Sequence, residues 1–137
     1  MNPFTYQGGE LHAEAVRLSR IAAEIGTPCY VYSRAALTEA YLAFTKAFQG
    51  YEHLVCYAVK ASSNLAILDL FSRLGSGFDI VSGGELERVL AAGGDPAKIV
   101  FSGIGKAESD IRAALKARIL CFNIESESEL ERVDLIA

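Results

Sequence analysis

From Leu54 onward, short apolar runs alternate with amphipathic segments four times. The runs are LVCYAVK (54–60), GFDIV (77–81), KIVFSG (98–103) and RILCFNI (118–124), with starts about 20 to 24 residues apart. Each is followed by a helix-like stretch: NLAILDLFSRL, GELERVLAA, AESDIRAALKA and SESELERVDLIA. The runs are apolar on both faces, as parallel strands covered by helices are. The first helical stretch sets Leu65, Leu68, Phe71 and Leu74 against Asp69, Ser72 and Arg73, an apolar stripe facing a polar one. Strand–helix alternation implies an α/β fold with right-handed crossovers. An open doubly wound sheet and a (β/α)8 TIM-type barrel both satisfy it, and the short, even repeat favours the barrel.

Four units make half a barrel. Residues 51–137 are therefore expected to be the N-terminal half of a (β/α)8 barrel, with four parallel βα units. Residues 1–50 form a lead-in of helix (ELHAEAVRLSRIAAEIG), strand (TPCYVYS) and helix (RAALTEAYLAFTKAF, capped by Ser33). The last helix opens on a capping box, Ser126 with Glu129, and reaches Ala137 without a glycine stop. This reads as the N-terminal piece of a longer protein. Half a barrel has two open strand edges and a bare inner face, so the piece alone is expected to be inactive, and either self-associated or an ordered part of a larger chain.

Composition excludes several classes of function. Thirteen Lys and Arg stand against seventeen Asp and Glu, a net charge of -4 with no basic stripe, which argues against a nucleic-acid partner. No apolar run approaches the ~18 residues of a membrane span, and the N-terminus lacks a secretory pattern. Cys29, Cys56 and Cys121 lack metal-ligand spacing and lie in apolar runs, as reduced, buried thiols of a cytoplasmic protein do. His12 and His53 fall in no ligand pattern, so no metal is expected.

Three residues stand out chemically. Lys60 ends an apolar strand, where burial of an ammonium is costly. Strand alternation puts it with Cys56 and Ala58 on the inner face, at the C-terminal end where barrel enzymes work. It is either a desolvated nucleophilic amine or a lysine reaching past the strand end to solvent. Asp79 interrupts the next apolar strand; it is either a partner for Lys60 across adjacent strands or a solvated edge carboxylate. Glu85 forms a capping box with Ser82, or faces the pocket in a charge network. SGIGK (102–106) lacks phosphate-loop spacing and reads as a strand-to-helix turn. Asn123 and Glu125 end the fourth strand, placed for either the pocket or the next helix start.

Taken in order, these blocks resemble the pyridoxal-phosphate-dependent ornithine/diaminopimelate/arginine decarboxylases, whose catalytic domain is an alanine-racemase-like barrel. TPCYVYS, YAVKAS, GSGFDIVSGGELERVLAAG, IVFSGIGK and CFNIESESEL match successive family blocks. SGGEL and FSGIGK are most similar to the diaminopimelate branch. Ser62 departs from the family's usual YAVKAN, and Asn64 follows two positions on. The resemblance implies that Lys60 holds pyridoxal 5'-phosphate covalently, with Asp79 and Glu85 near the cofactor. It implies an amino-acid substrate, meso-diaminopimelate decarboxylated to L-lysine, and a cytoplasmic homodimer. It also implies that the phosphate loop, the partner of the pyridine nitrogen and a ring-stacking histidine come from strands beyond these residues.

Overall fold

A Gly8–Gly9 pair reverses the chain near its start, both residues in the left-handed region (φ 61° and 84°). Two positive-φ residues suit a tight hairpin turn. The turn joins β1 (Phe4–Gln7) to β2 (Glu10–Ala13), antiparallel, with Gln7 opposite Glu10. The two-residue β3 (Val16–Arg17) adds to β2. The expected helix from Glu10 is thus confined to α1 (Leu18–Ile25), because the glycine pair commits the preceding residues to a hairpin.

The computed structural model describes residues 2–137 and divides into two compact units, one ending at Tyr51, the other spanning Glu52–Ala137. In the first, α2 (Arg34–Ala47) is capped by Ser33, whose Oγ accepts from the Ala36 amide at 3.0 Å. Ser33 Oγ in turn donates to Glu14 at 2.7 Å, and the Ala35 amide donates to the same carboxylate at 2.9 Å. Those two donors, the amide foremost, hold the Glu14 carboxyl below the ordinary glutamate range. TPCYVYS, expected as a strand, joins no ladder among the described residues. Tyr30 and Tyr32 are exposed, so its apolar side chains have no sheet to pack on.

In the second unit, β4 (Cys56–Ala58), β5 (Gly77–Ile80), β6 (Ile99–Phe101) and β7 (Cys121–Phe122) form one parallel sheet in sequence order. Helices α3 (Leu65–Arg73), α4 (Gly83–Ala91), α5 (Glu108–Ala117) and α6 (Glu127–Ile136) alternate with the strands. These are the four expected βα units.

Phe78, Ile80, Ile99 and Phe101 are fully buried, as are Leu68, Val89, Ile111 and Ala114 on the helices. The Tyr57 ring stacks on Phe71 of α3 at 4.3 Å, fixing which face of β4 meets the helices. The opposite face carries the register row Ala58, Asp79, Val100, Cys121, half-buried at the first three and exposed at the last, with α3 to α6 packed on the other side. The stripe of α3 is rotated from expectation: Ile67, Leu68, Leu70 and Phe71 are buried, whereas Leu65 is exposed.

The cysteines depart from the buried reading. Cys29 and Cys121 are exposed and Cys56 is half-buried, all three free thiols. Cys56 and Cys121 lie on the sheet face away from the helices. Burial, then the nearby Asp79 charge, pushes the Cys56 thiol up. No cluster of potential metal ligands occurs among the described residues, and none of their helices is long and apolar enough to cross a membrane.

Gly77 opens β5 where a side chain does not fit. A Cβ there would lie 2.6 Å from the Lys98 carbonyl oxygen and 2.7 Å from Cys56 Sγ. Gly77→Ala must therefore displace the Lys98 carbonyl and the Cys56 thiol, and is expected to cost about 1–3 kcal/mol in urea unfolding of the intact protein. An unchanged midpoint would mean that the strands separate freely.

Candidate functional site

The C-terminal ends of β4 to β7 gather the polar residues of the face away from the helices. β4 stops at Ala58, and a single 3-10 turn, Val59–Ala61, follows. Val59 is buried and Lys60 is exposed. Of the two readings for Lys60, the side chain takes the one that reaches past the strand end to solvent, and it is not buried in the strand. A 3-10 turn advances side chains by about a third of a revolution per residue, where a strand advances by half, so strand parity stops at Ala58. The Lys60 ammonium meets no hydrogen-bond or ion-pair partner among the described residues. Asn64 caps α3, its Oδ1 accepting from the Ala66 amide at 2.9 Å. The carbonyl of Ser62 accepts from the Tyr57 hydroxyl at 3.1 Å, which ties the turn to the strand it leaves.

Asp79 is the register partner of Ala58 on the adjacent strand, so the two strands neighbour one another as the sequence implied. It forms no ion pair with Lys60. Its Oδ1 accepts from the Ser102 hydroxyl at 2.5 Å, and Ser102 Oγ accepts from Asn123 Nδ2 at 3.0 Å. The polar row thus runs across three strands. Sequence reasoning placed Asn123 at this end of the sheet but passed over Ser102. Its signal was parity: Ser102 lies two residues beyond Val100, the register partner of Asp79.

Glu85 sits in the first turn of α4. Its Oε2 accepts from the Val81 amide at 2.7 Å, while its own amide donates to Ser82 Oγ at 3.2 Å. That is a capping box in which the carboxylate takes the amide one residue before the cap, and it occupies one carboxylate oxygen. Glu125 contributes its backbone, whose amide donates to Glu129 Oε2 at 2.7 Å in the second box.

The buried lysine of this chain is Lys106, its side chain 1% exposed. Its Nζ donates to the carbonyls of Gly103 (2.6 Å) and Asn123 (2.9 Å) and to Glu129 Oε1 (2.9 Å). It lies 5.8 Å from the Phe101 ring centroid, and its carbonyl accepts from Arg132 Nη2 at 2.9 Å. SGIGK is therefore a turn, as expected, and one locked from inside.

A parallel sheet of four βα units with an exposed lysine and a carboxylate at neighbouring strand ends has the layout of the first units of a barrel-type domain, and a primary amine is the group that carbonyl cofactors bond. The donor set suits such a cofactor, because Lys60 has no competing partner and Ala58 beside it is small. Residues 34–137 match the family described as pyridoxal-dependent decarboxylase, pyridoxal binding domain, and the chain belongs to that family.

Among curated relatives, diaminopimelate decarboxylase of Pseudomonas aeruginosa is 60% identical over all of this chain and 33% of its own length. Diaminopimelate decarboxylase of M. jannaschii, solved in co-complex with L-lysine, superposes with a TM-score of 0.93 at 34% identity, covering 98% of this chain and 32% of that one. Lysine decarboxylase of Selenomonas ruminantium superposes at 0.83 with 26% identity, covering 100% of this chain and 35% of that one. The chain spans about a third of the length of the curated relatives it matches.

Proposed function

We propose that this chain is the cofactor-anchoring part of an enzyme that decarboxylates meso-diaminopimelate to L-lysine, with pyridoxal 5'-phosphate held by Lys60. The 60% identity to a diaminopimelate decarboxylase across all 137 residues carries the reading. The L-lysine complex of the M. jannaschii enzyme supports it, lysine being the product of that reaction. When bound, the cofactor supplies an electron sink for loss of the α-carboxylate.

The chain's own residues divide the remaining tasks. The Lys60 amine, exposed and unpaired, would hold the cofactor covalently through its nitrogen, with water lost as the bond forms, and would be the group that a substrate amine displaces. Asp79 keeps Oδ2 clear of hydrogen bonds among the described residues, and that oxygen receives the freed Lys60 ammonium. Glu85 stays near the cofactor through its capping box, holding the start of α4 beside the end of β5. Residues 51–137 act as the first four βα units of the barrel, and residues 1–50 as its lead-in. The intact enzyme works as a cytoplasmic homodimer on a small amino-acid substrate.

The test is carbon dioxide release by the intact protein with meso-diaminopimelate, L-ornithine, L-arginine and L-lysine in parallel. Turnover with meso-diaminopimelate and formation of L-lysine are expected. Preference for ornithine or arginine would assign another decarboxylase of the same fold. No turnover with any of them, with cofactor still bound, would make the chain part of a non-catalytic homologue.

A further inference from the structure

We propose that Ser102 and Asn123 are positioning residues that aim Asp79 at Lys60; this rests on the roles of Lys60 and Asp79 given above. The directions of the hydrogen bonds carry it. Asn123 Nδ2 donates to Ser102 Oγ at 3.0 Å, so the Ser102 proton goes to Asp79 Oδ1, at 2.5 Å. A hydrogen bond to a carboxylate is among the stronger ones, and it fixes Asp79 by one oxygen only. The other oxygen takes no hydrogen bond among the described residues, and the strand on Asp79's other side is β4, whose Ala58 is its register partner and which leads into Lys60.

The donors are themselves held. The Ser102 amide donates to the Ile80 carbonyl at 2.8 Å, and the Asn123 amide to the Phe101 carbonyl at 2.9 Å. The Asn123 carbonyl takes the buried Lys106 ammonium at 2.9 Å, and the same ammonium takes Gly103 O at 2.6 Å. Both relay side chains thus rise from backbone pinned to the sheet. Pairing between polar groups at strand ends would satisfy them equally well if Asp79 had no further task. The relay differs from that in its effect on a step that Lys60 and Asp79 share.

That step is the displacement of Lys60 by an incoming amine, during which the freed ammonium needs a carboxylate in reach. The experiment loads the intact protein with pyridoxal 5'-phosphate, adds L-lysine, and follows the change in the visible absorption band by stopped flow. Borohydride trapping, with mass spectrometry of the Lys60 peptide, reports cofactor attachment separately. Ser102→Ala is expected to slow displacement about tenfold, the size of one lost hydrogen bond to a charged group, and to leave the trapped yield unchanged. Ser102→Thr, which keeps the hydroxyl, restores the rate.

Asn123→Ala, at an exposed side chain, slows the step less. Combined with Ser102→Ala it adds nothing, since both act through one chain of bonds. If Ser102→Ala does not fold, Asn123→Ala alone carries the test. Wild-type rates in the folded variants, or additive losses, would overturn the relay. Absence of trapped Lys60 in the wild type would instead overturn the underlying reading, whatever the variants do.

Discussion

Lys106→Met is expected to lower the unfolding free energy of the intact protein by about 3–5 kcal/mol, the range for removing one partner of a buried ion pair. Methionine fills a similar volume but donates nothing. Three acceptors lose their shared donor at once: the carbonyls of Gly103 and Asn123, and Glu129 Oε1. The carboxylate matters most, because Glu129 is itself only 12% exposed and would keep a charge without its cation. Adding Glu129→Gln should recover part of the loss, and the non-additivity in urea unfolding measures the pair.

A pH dependence follows. The Glu125 amide first, and the Lys106 ammonium second, hold Glu129 below the ordinary glutamate range. Its pKa is therefore lower folded than unfolded, so its contribution is present above about pH 4.5 and is lost as pH falls below that through the folded pKa. Acid titration should narrow the gap between wild type and Lys106→Met. A loss under about 1 kcal/mol at neutral pH would mean that water replaces the lysine without strain.

That cluster also shows which structural features were visible in the chain. The four βα units were legible because their signals are local: apolar runs of strand length, amphipathic stretches of helical period, and caps such as Ser82 and Ser126 that do what their sequence pattern implies. Failures came where a pairing had to be known. Burial of a lysine was argued for Lys60, but Lys106 is the buried one. Nothing near SGIGK announces that Glu129, 23 residues on, will meet its ammonium. Asp79 has the strand of Lys60 on one side, but a central strand has two neighbours, and the Ser102 hydroxyl on the other side holds one of its oxygens. The Gly8–Gly9 turn was local and was still passed over, because the helical period of the residues after it outweighed a two-residue hairpin signal.

Lys60→Ala is expected to cut decarboxylation by about a thousandfold or more, since loss of the covalent nucleophile removes a step instead of weakening it. It should also abolish borohydride-trapped cofactor on this segment. With the cofactor removed from both proteins, the same change should leave unfolding within about 0.5 kcal/mol of wild type, because the side chain is exposed and has no partner among the described residues to lose. This dissociation of activity from stability is the informative result. A lysine with a structural post, such as Lys106, would lose both together.

Lys60→Arg separates charge from nucleophilicity. A guanidinium stays protonated near neutral pH and cannot bond a carbonyl carbon, so the variant should be as inactive as Lys60→Ala despite keeping the positive charge. Asp79→Asn should behave differently again. Trapping at Lys60 persists, because the amine is intact, while turnover falls about ten- to a hundredfold as the freed ammonium loses its carboxylate. If Lys60→Ala retained turnover and trapped cofactor elsewhere on the chain, the amine at the end of β4 would not be the anchor. The face of the sheet away from the helices would then need another explanation for its carboxylate.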